Sequence, residues 1–281
     1  MIMQMAPADE MDQVDIALTD PEAVNTRESL QGTRVALVTG GAQGIGEAVV
    51  KRLAKAGHIV LIGDIDERAA QALATYLGEA GHEAHALHLD VGQAQAIHDT
   101  FALIKQRFGR CDILVNNAGI AKTYPFIDYP LDHWRAVCDV NVTGPMLCGQ
   151  HAARLMIPHQ WGRIINIASI SGFRASAGRT AYGTSKAALI GLTRQMAIEL
   201  APLGITANGI APGPVDTPMT LMLHSAVARE NFARGVPTGR YAVPDEIAAA
   251  VAFLASEEAS YINGQTIPVD GGFLAAGVLE I

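Results

Sequence analysis

From Arg34 onward, short runs of consecutive apolar residues alternate with longer stretches in which apolar residues return every three to four positions. The runs occupy 35–38, 59–62, 84–89, 113–115, 164–167, 205–210 and 266–269. Near-continuous apolar strands are buried on both faces, and helices between successive strands make those strands parallel. The pattern predicts an α/β fold, a single doubly wound Rossmann-type domain over 33–281 with a seven-stranded parallel sheet and helices on both faces. No internal repeat or linker marks a second domain. Two stretches depart from the alternation. Residues 131–157 read as one unusually long helix. Residues 214–240 read as a long insertion after the sixth strand. It is either a substrate lid, with Met219, Leu221, Met222 and Leu223 as its apolar face, or an ordinary packing helix.

Composition narrows the class. Of 281 residues, 49% are apolar and 17% charged, which excludes a wholly disordered chain. No apolar run is long enough to span a membrane, and the start lacks the basic and apolar segments of a secretory signal, so a cytoplasmic location is expected. Cys111, Cys138 and Cys148 form an odd set, read as free thiols in a reducing compartment. Residues 1–32 hold seven acidic residues against Arg27, and thus six of the eight net negative charges. That segment reads as an acidic, flexible N-terminal extension. The body is close to neutral and has no basic stripe, which argues against nucleic acid as a partner.

The first strand runs into Thr39, Gly40, Gly41, Ala42, Gln43, Gly44, Ile45 and Gly46, followed by a helix. Glycines let backbone approach a pyrophosphate, and the helix N-terminus favours its charge. Asp64 ends the second strand, where a carboxylate can accept hydrogen bonds from an adenine ribose and repel a 2′-phosphate. The glycine loop has no Lys or Arg, so NAD is expected rather than NADP. Asp66 is a rival for the ribose role. Asp90, with Val91 beside it, either meets an adenine amino group or caps the helix that follows. Tyr182 and Lys186 stand four apart in a helical stretch, on one face, where an ammonium can favour the phenolate. His82, His85 and His88 lack a cysteine or acidic partner, and no metal site is expected. Trp134 and Trp161 read as packing residues. His151 is a candidate for an oligomer contact.

Taken in order, 39–46, Asn116-Asn117-Ala118-Gly119, Asn141, Ser169, Tyr182 with Lys186, Pro212-Gly213 and Val269-Asp270-Gly271-Gly272 resemble the short-chain dehydrogenase/reductase family over about 33–272. The resemblance implies an NAD-dependent oxidoreductase interconverting a secondary alcohol and a ketone. It implies Tyr182 as acid and base, with Lys186 lowering its pKa and binding the nicotinamide ribose. Ser169 would hold the substrate oxygen, with Ser171 and Ser176 as nearby alternatives. Asn141 would hold a relay water through its backbone carbonyl. Pro145 lacks the N–H that would otherwise bond that carbonyl, so the sequence frees it. Asn117, Ala118 and Gly119 would support the adenosine side. Pro212, Gly213, Val215 and Thr217 would meet the nicotinamide. An NADPH-dependent 3-oxoacyl-[acyl-carrier-protein] reductase is the main alternative, and a non-catalytic dinucleotide sensor or scaffold a further one. The expected assembly is a homotetramer paired through helices near 131–157 and 181–200 and through the apolar C-terminal stretch.

Overall fold

The structure, a computed structural model, describes residues 33–277. The acidic extension at 1–32 and the last four residues of the apolar end lie outside it. Seven strands, β1 (Val35–Thr39), β2 (Ile59–Asp64), β3 (Ala84–His88), β4 (Ile113–Asn116), β5 (Gly162–Ile167), β6 (Ile205–Pro212) and β7 (Thr266–Val269), form one sheet in the order β3-β2-β1-β4-β5-β6-β7. Every neighbouring pair is parallel. The α-helices are α1 (Gly44–Lys55), α2 (Glu67–Glu79), α3 (Ala94–Phe108), α4 (Leu131–Cys138), α5 (Gly144–Met156), α6 (Thr180–Leu200), α7 (Pro218–Leu223), α8 (Ala226–Gly235) and α9 (Pro244–Ala255).

Strands β1, β2, β4, β5 and β6 are buried along their whole length, as their unbroken apolar runs require. On one face Val49, Val50 and Leu53 of α1, Leu73 and Leu77 of α2, and Ile247, Val251 and Leu254 of α9 share a core with the strands. Helices α3, α5 and α6 cover the other face. Cys111 and Cys148 are buried free thiols, and burial pushes the Cys148 pKa up to about 12. No helix of the described residues is long and apolar enough to cross a membrane.

The expected long helix over 131–157 runs continuously from Leu131 to Met156, but it is not regular throughout. Between α4 and α5 the backbone takes one wide π turn over Asp139–Thr143, in which the Gly144 N–H reaches the Asp139 carbonyl. Pro145 has no N–H to give, so the regular bond to residue 141 cannot form, and a π turn absorbs the mismatch without ending the helix.

The 214–240 segment carries α7 and α8. Its two ends are stapled: Val215 bridges Ala242, the Asp216 N–H donates to the Ala242 carbonyl, and the Ala242 N–H donates to Pro214. The expected apolar lid face splits. Leu221 and Met222 point to solvent, Met222 at 82% exposure, whereas Met219 and Leu223 line cavities.

Candidate active site

The sheet's strand order reverses between β1 and β4, so the loops after these strands part and leave a crevice at the carboxyl edge. A cleft of about 380 Å³ occupies that crevice and continues past the ends of β5 and β6.

One end is built by the turn between β1 and α1. Gly40 and Gly44 have φ of 60° and 58°, a conformation open to glycine at little cost. A Cβ on Gly46 would stand 2.0 Å from the Gly40 carbonyl oxygen. The turn therefore closes only around a hydrogen at that position. Asn117 clamps it, its Nδ2 donating to the carbonyls of Thr39 at 3.0 Å and Gly40 at 2.8 Å. The buried Thr39 hydroxyl accepts the N–H groups of Asn117 and Ala118, both at 3.1 Å. Gln43 caps α1 without a side-chain hydrogen bond, which leaves the first amides of the helix for an anion.

Asp64 is buried at this end. Its Oδ2 accepts from Ala42 N–H and its Oδ1 from Asp66 N–H, both at 3.0 Å. Charge-assisted bonds of this kind contribute about 1.5–3 kcal/mol each, so the carboxylate also braces the glycine loop. Each oxygen accepts one bond and has capacity for another, and Asp64 lines the cleft. Asp66 caps α2 through Ala69 N–H at 2.9 Å and, unlike Asp64, does not line the cleft. Asp90 borders the cleft, and its Oδ1 accepts Gly92 N–H at 2.8 Å. The cap of α3 is Gln93, so the alternative role for Asp90 as a helix cap fails.

The other end holds Ser169, Tyr182 and Lys186. Ser169 follows β5, and its Oγ accepts Ser171 N–H at 3.1 Å. Tyr182 and Lys186 lie in the first two turns of α6. A buried polar ladder fixes that helix on the sheet. Asn116 Nδ2 donates to Asn166 Oδ1 at 2.8 Å, Asn166 Nδ2 donates to Thr193 Oγ1 at 2.9 Å, and Thr193 Oγ1 donates to the Leu189 carbonyl at 2.7 Å. Deleting one member would strand its partners without water, at a cost of about 1–3 kcal/mol.

Lys186 Nζ donates to the Ile167 carbonyl at 2.6 Å and sits 5.7 Å from the Tyr182 ring centroid. Burial lowers its pKa to about 8. On balance the Tyr182 pKa is raised, not lowered as expected. Burial raises the phenol, while the Ser169 hydroxyl and then the Arg179 guanidinium pull the other way. Arg179 lies three residues before Tyr182, and its Cζ is 5.6 Å from the ring. Its place three residues ahead of Tyr182, at the N-cap of α6, was the available signal for it.

Three expected site residues do not border the cleft. Thr39 is spent on the clamp and Gly46 on the close backbone approach. Asn141 is fully buried, its Oδ1 accepting Ile120 N–H at 2.9 Å and its Nδ2 donating to the Ile120 carbonyl at 3.1 Å and Ser185 Oγ at 3.0 Å. It ties the loop after β4 to α6. The cleft gathers the remaining expected residues: Gly40, Gln43, Gly44 and Ile45 from the first turn, Asp64, Asp90 and Val91 from the second and third strand ends, Asn117, Ala118 and Gly119 after β4, and Pro212, Gly213, Val215 and Thr217 after β6. Thr217 caps α7 and closes towards the glycine loop, since a Cβ on Gly44 would lie 3.5 Å from it. Ile120 after β4, Val140 in the π turn and Thr220 of α7, which no motif announces, also line it, as does Met219.

The arrangement fits a nicotinamide dinucleotide. It offers an uncapped helix N-terminus against a glycine cradle, a buried carboxylate beyond it, and a phenol and an amine at the far end. Comparison with known proteins agrees. Residues 40–274 match the family model for Enoyl-(Acyl carrier protein) reductase. The chain is 41% identical over 244 residues to the 3-oxoacyl-[acyl-carrier-protein] reductase of Aquifex aeolicus, covering 86% of this chain and 98% of that one. It is 41% identical over 243 residues to the cis-4-hydroxycyclohexanecarboxylate dehydrogenase of Sinomonas cyclohexanicum, covering 86% and 97%. Its fold is similar, at a TM-score of 0.84 and 36% identity over 87% of this chain and 96% of the other, to a gluconate 5-dehydrogenase from Burkholderia cenocepacia in complex with NADP and tartrate.

Proposed function

The chain belongs to the short-chain dehydrogenase/reductase family and is one of its oxidoreductases, and from that premise we propose that it interconverts a secondary alcohol and a ketone with NAD. The observation that carries the proposal is the convergence of Ser169, Tyr182 and Lys186 at one end of a cleft whose other end is a glycine cradle. When bound, a nicotinamide dinucleotide supplies hydride acceptance and donation at the substrate carbon. The glycine loop and the first amides of α1 would hold its phosphates, Asp64 a ribose, and the 212–217 strand end its nicotinamide.

The protein's own part is the proton. In oxidation Tyr182 Oη takes the proton of the substrate hydroxyl, and in reduction it returns one to the carbonyl oxygen. Ser169 Oγ hydrogen-bonds the same oxygen and holds it beside the phenol. Lys186, with a pKa brought down to about 8, exchanges protons near neutral pH and, when charged, favours the phenolate. Asn141 keeps the π turn, the loop after β4 and α6 in register.

Asp64 supports NAD, since a 2′-phosphate would meet a buried carboxylate and no Lys or Arg stands in 40–46. A second reading, reduction of a 3-oxoacyl thioester with NADPH, draws support from the Aquifex relative and from the NADP in the gluconate dehydrogenase structure. Measuring kcat/KM with NAD(H) and NADP(H) across ketones, alcohols and acetoacetyl thioesters separates the two. We expect NAD(H) to be favoured, and an NADP(H) preference above about tenfold, or 1.4 kcal/mol, overturns the cofactor assignment. A homotetramer and a cytoplasmic location complete the reading. They are supported by Ile198 on α6, 73% exposed and suited to a covered face, and by the free thiols.

A further inference from the structure

We propose that the substrate of this site carries a carboxylate, bound by Arg179 with Arg174 nearby, in a second cavity beside Tyr182. The inference rests on the oxidoreductase reading and adds the chemical class of the substrate.

A cavity of about 130 Å³ opens off the main cleft and shares Ser169, Tyr182, Gly213, Met219 and Thr220 with it. Whatever fills it lies against the phenol. Its wall includes Arg174, Arg179 and His224 and no Asp or Glu. The arginines of the 214–240 segment are matched: Arg229 with Asp216, Arg234 with Glu230 and Arg240 with Glu246. Arg174 and Arg179 form no ion pair among the described residues. Arg174 touches the Phe273 ring and carbonyl, and Arg179 touches the Tyr182 ring and His224.

The contact to His224 aims Arg179 without neutralising it. Arg179 Nη2 lies 2.6 Å from His224 Nε2, and His224 Nδ1 lies 2.9 Å from Tyr241 Oη. A guanidinium only donates, so Nε2 is the acceptor and the imidazole proton sits on Nδ1. Burial, with Arg179 and Arg229, lowers the His224 pKa and favours this neutral form. The ring stacks on Phe232 at 4.8 Å, which holds the fork in place. The result is a half-buried cation with unused donors, aimed at the space next to the phenol. An anion with two oxygens offsets its lost hydration and matches its fork. The carboxylates Asp64 and Asp90 stand at the opposite, glycine-loop end of the main cleft, so the site is negative at one end and positive at the other.

Arg179 also acts on Tyr182 through its charge, and that effect would reach every substrate alike. A carboxylate partner reaches only acids. The test therefore compares a series of oxo-carboxylates, acetoacetate to 6-oxoheptanoate, with their methyl esters, using the full chain and both nicotinamide cofactors. We expect at least one acid to exceed its ester in kcat/KM by roughly tenfold or more, the worth of a charged hydrogen bond. Arg179→Gln should remove most of that ratio, chiefly through KM, and Arg179→Lys should restore part of it. Arg174→Gln, at an exposed position, should lower it by a smaller factor. Esters or acetoacetyl thioesters turned over as well as the acids, or a ratio indifferent to Arg179→Gln, overturn the carboxylate and leave the oxidoreductase reading intact. If no ketone is turned over, titration with cyclohexanecarboxylate and its methyl ester decides. Binding of the acid alone, lost in Arg179→Gln, supports the proposal, and absence of binding refutes it.

Discussion

At the glycine-loop end of the cleft the walls are braced through main-chain groups, and at the 214–240 end side chains from separate elements meet. The loop end is held by contacts between β1, β2 and β4, with Asn117, Thr39 and Asp64 each bonding main-chain groups. The other end meets Tyr182 through Arg179, His224, Met219 and Phe232, drawn from the N-cap of α6, α7, α8 and the turn after α7. Walls braced through main-chain groups suit a ligand part that never varies, with the Asp64 carboxylate as the side chain that selects there. Side-chain walls can change one residue at a time and so carry selectivity. Tyr182 sits where the two meet.

The largest expected effect is at that junction. Tyr182→Phe removes the phenolic oxygen and should lower kcat on the order of a thousandfold. Nucleotide affinity, read by quenching of protein fluorescence, should change less than about twofold, since the loop end is untouched. Survival of turnover would show that the acid and base lies elsewhere. Next comes the loop end itself. In Gly46→Ala the added carbon meets the Gly40 carbonyl at 2.0 Å, so the turn must open. Overpacking of this kind costs about 1–3 kcal/mol. We expect dinucleotide affinity to fall by roughly tenfold or more, while the ratio of kcat/KM between two ketones stays constant. A shifted ratio would mean that the two ends are not separable. The smallest effect tests the other wall. Met219→Ser should raise KM for an apolar ketone by about threefold to tenfold, as loss of part of a buried apolar contact implies. Met222→Ser, at a solvent position, should leave KM unchanged within about a factor of two. Equal effects from both would mean that the segment closes further over substrate than Met222 now does.

The loop end was largely legible in the sequence, because its determinants are local. A glycine that needs φ near 60° is written in the residue itself, and so is a carboxylate that ends an apolar strand. Strand positions were legible for the same reason, since unbroken apolar runs have one stable placement in a two-sided sheet. The π turn at Asp139–Thr143 was only half legible. Pro145 announced a missing bond, but whether the helix would end, kink or widen depended on the pull of Asn141 towards Ile120 and Ser185. The split of the 214–240 apolar residues into lining and exposed sets was not legible, because α7 is too short for its periodicity to assign a face.

By itself, then, the sequence determined the sheet, the cradle and the identity of the chemical groups at Ser169, Tyr182 and Lys186, since each depends on residues close along the chain or on burial alone. Tertiary structure decided what surrounds those groups. It buried the phenol between the Arg179 and Lys186 cations, 5.6 and 5.7 Å from its ring, and it set His224 and Tyr241 behind that arginine from 45 residues and more along the chain. Charges act through distance in space, and only the folded chain fixes that distance.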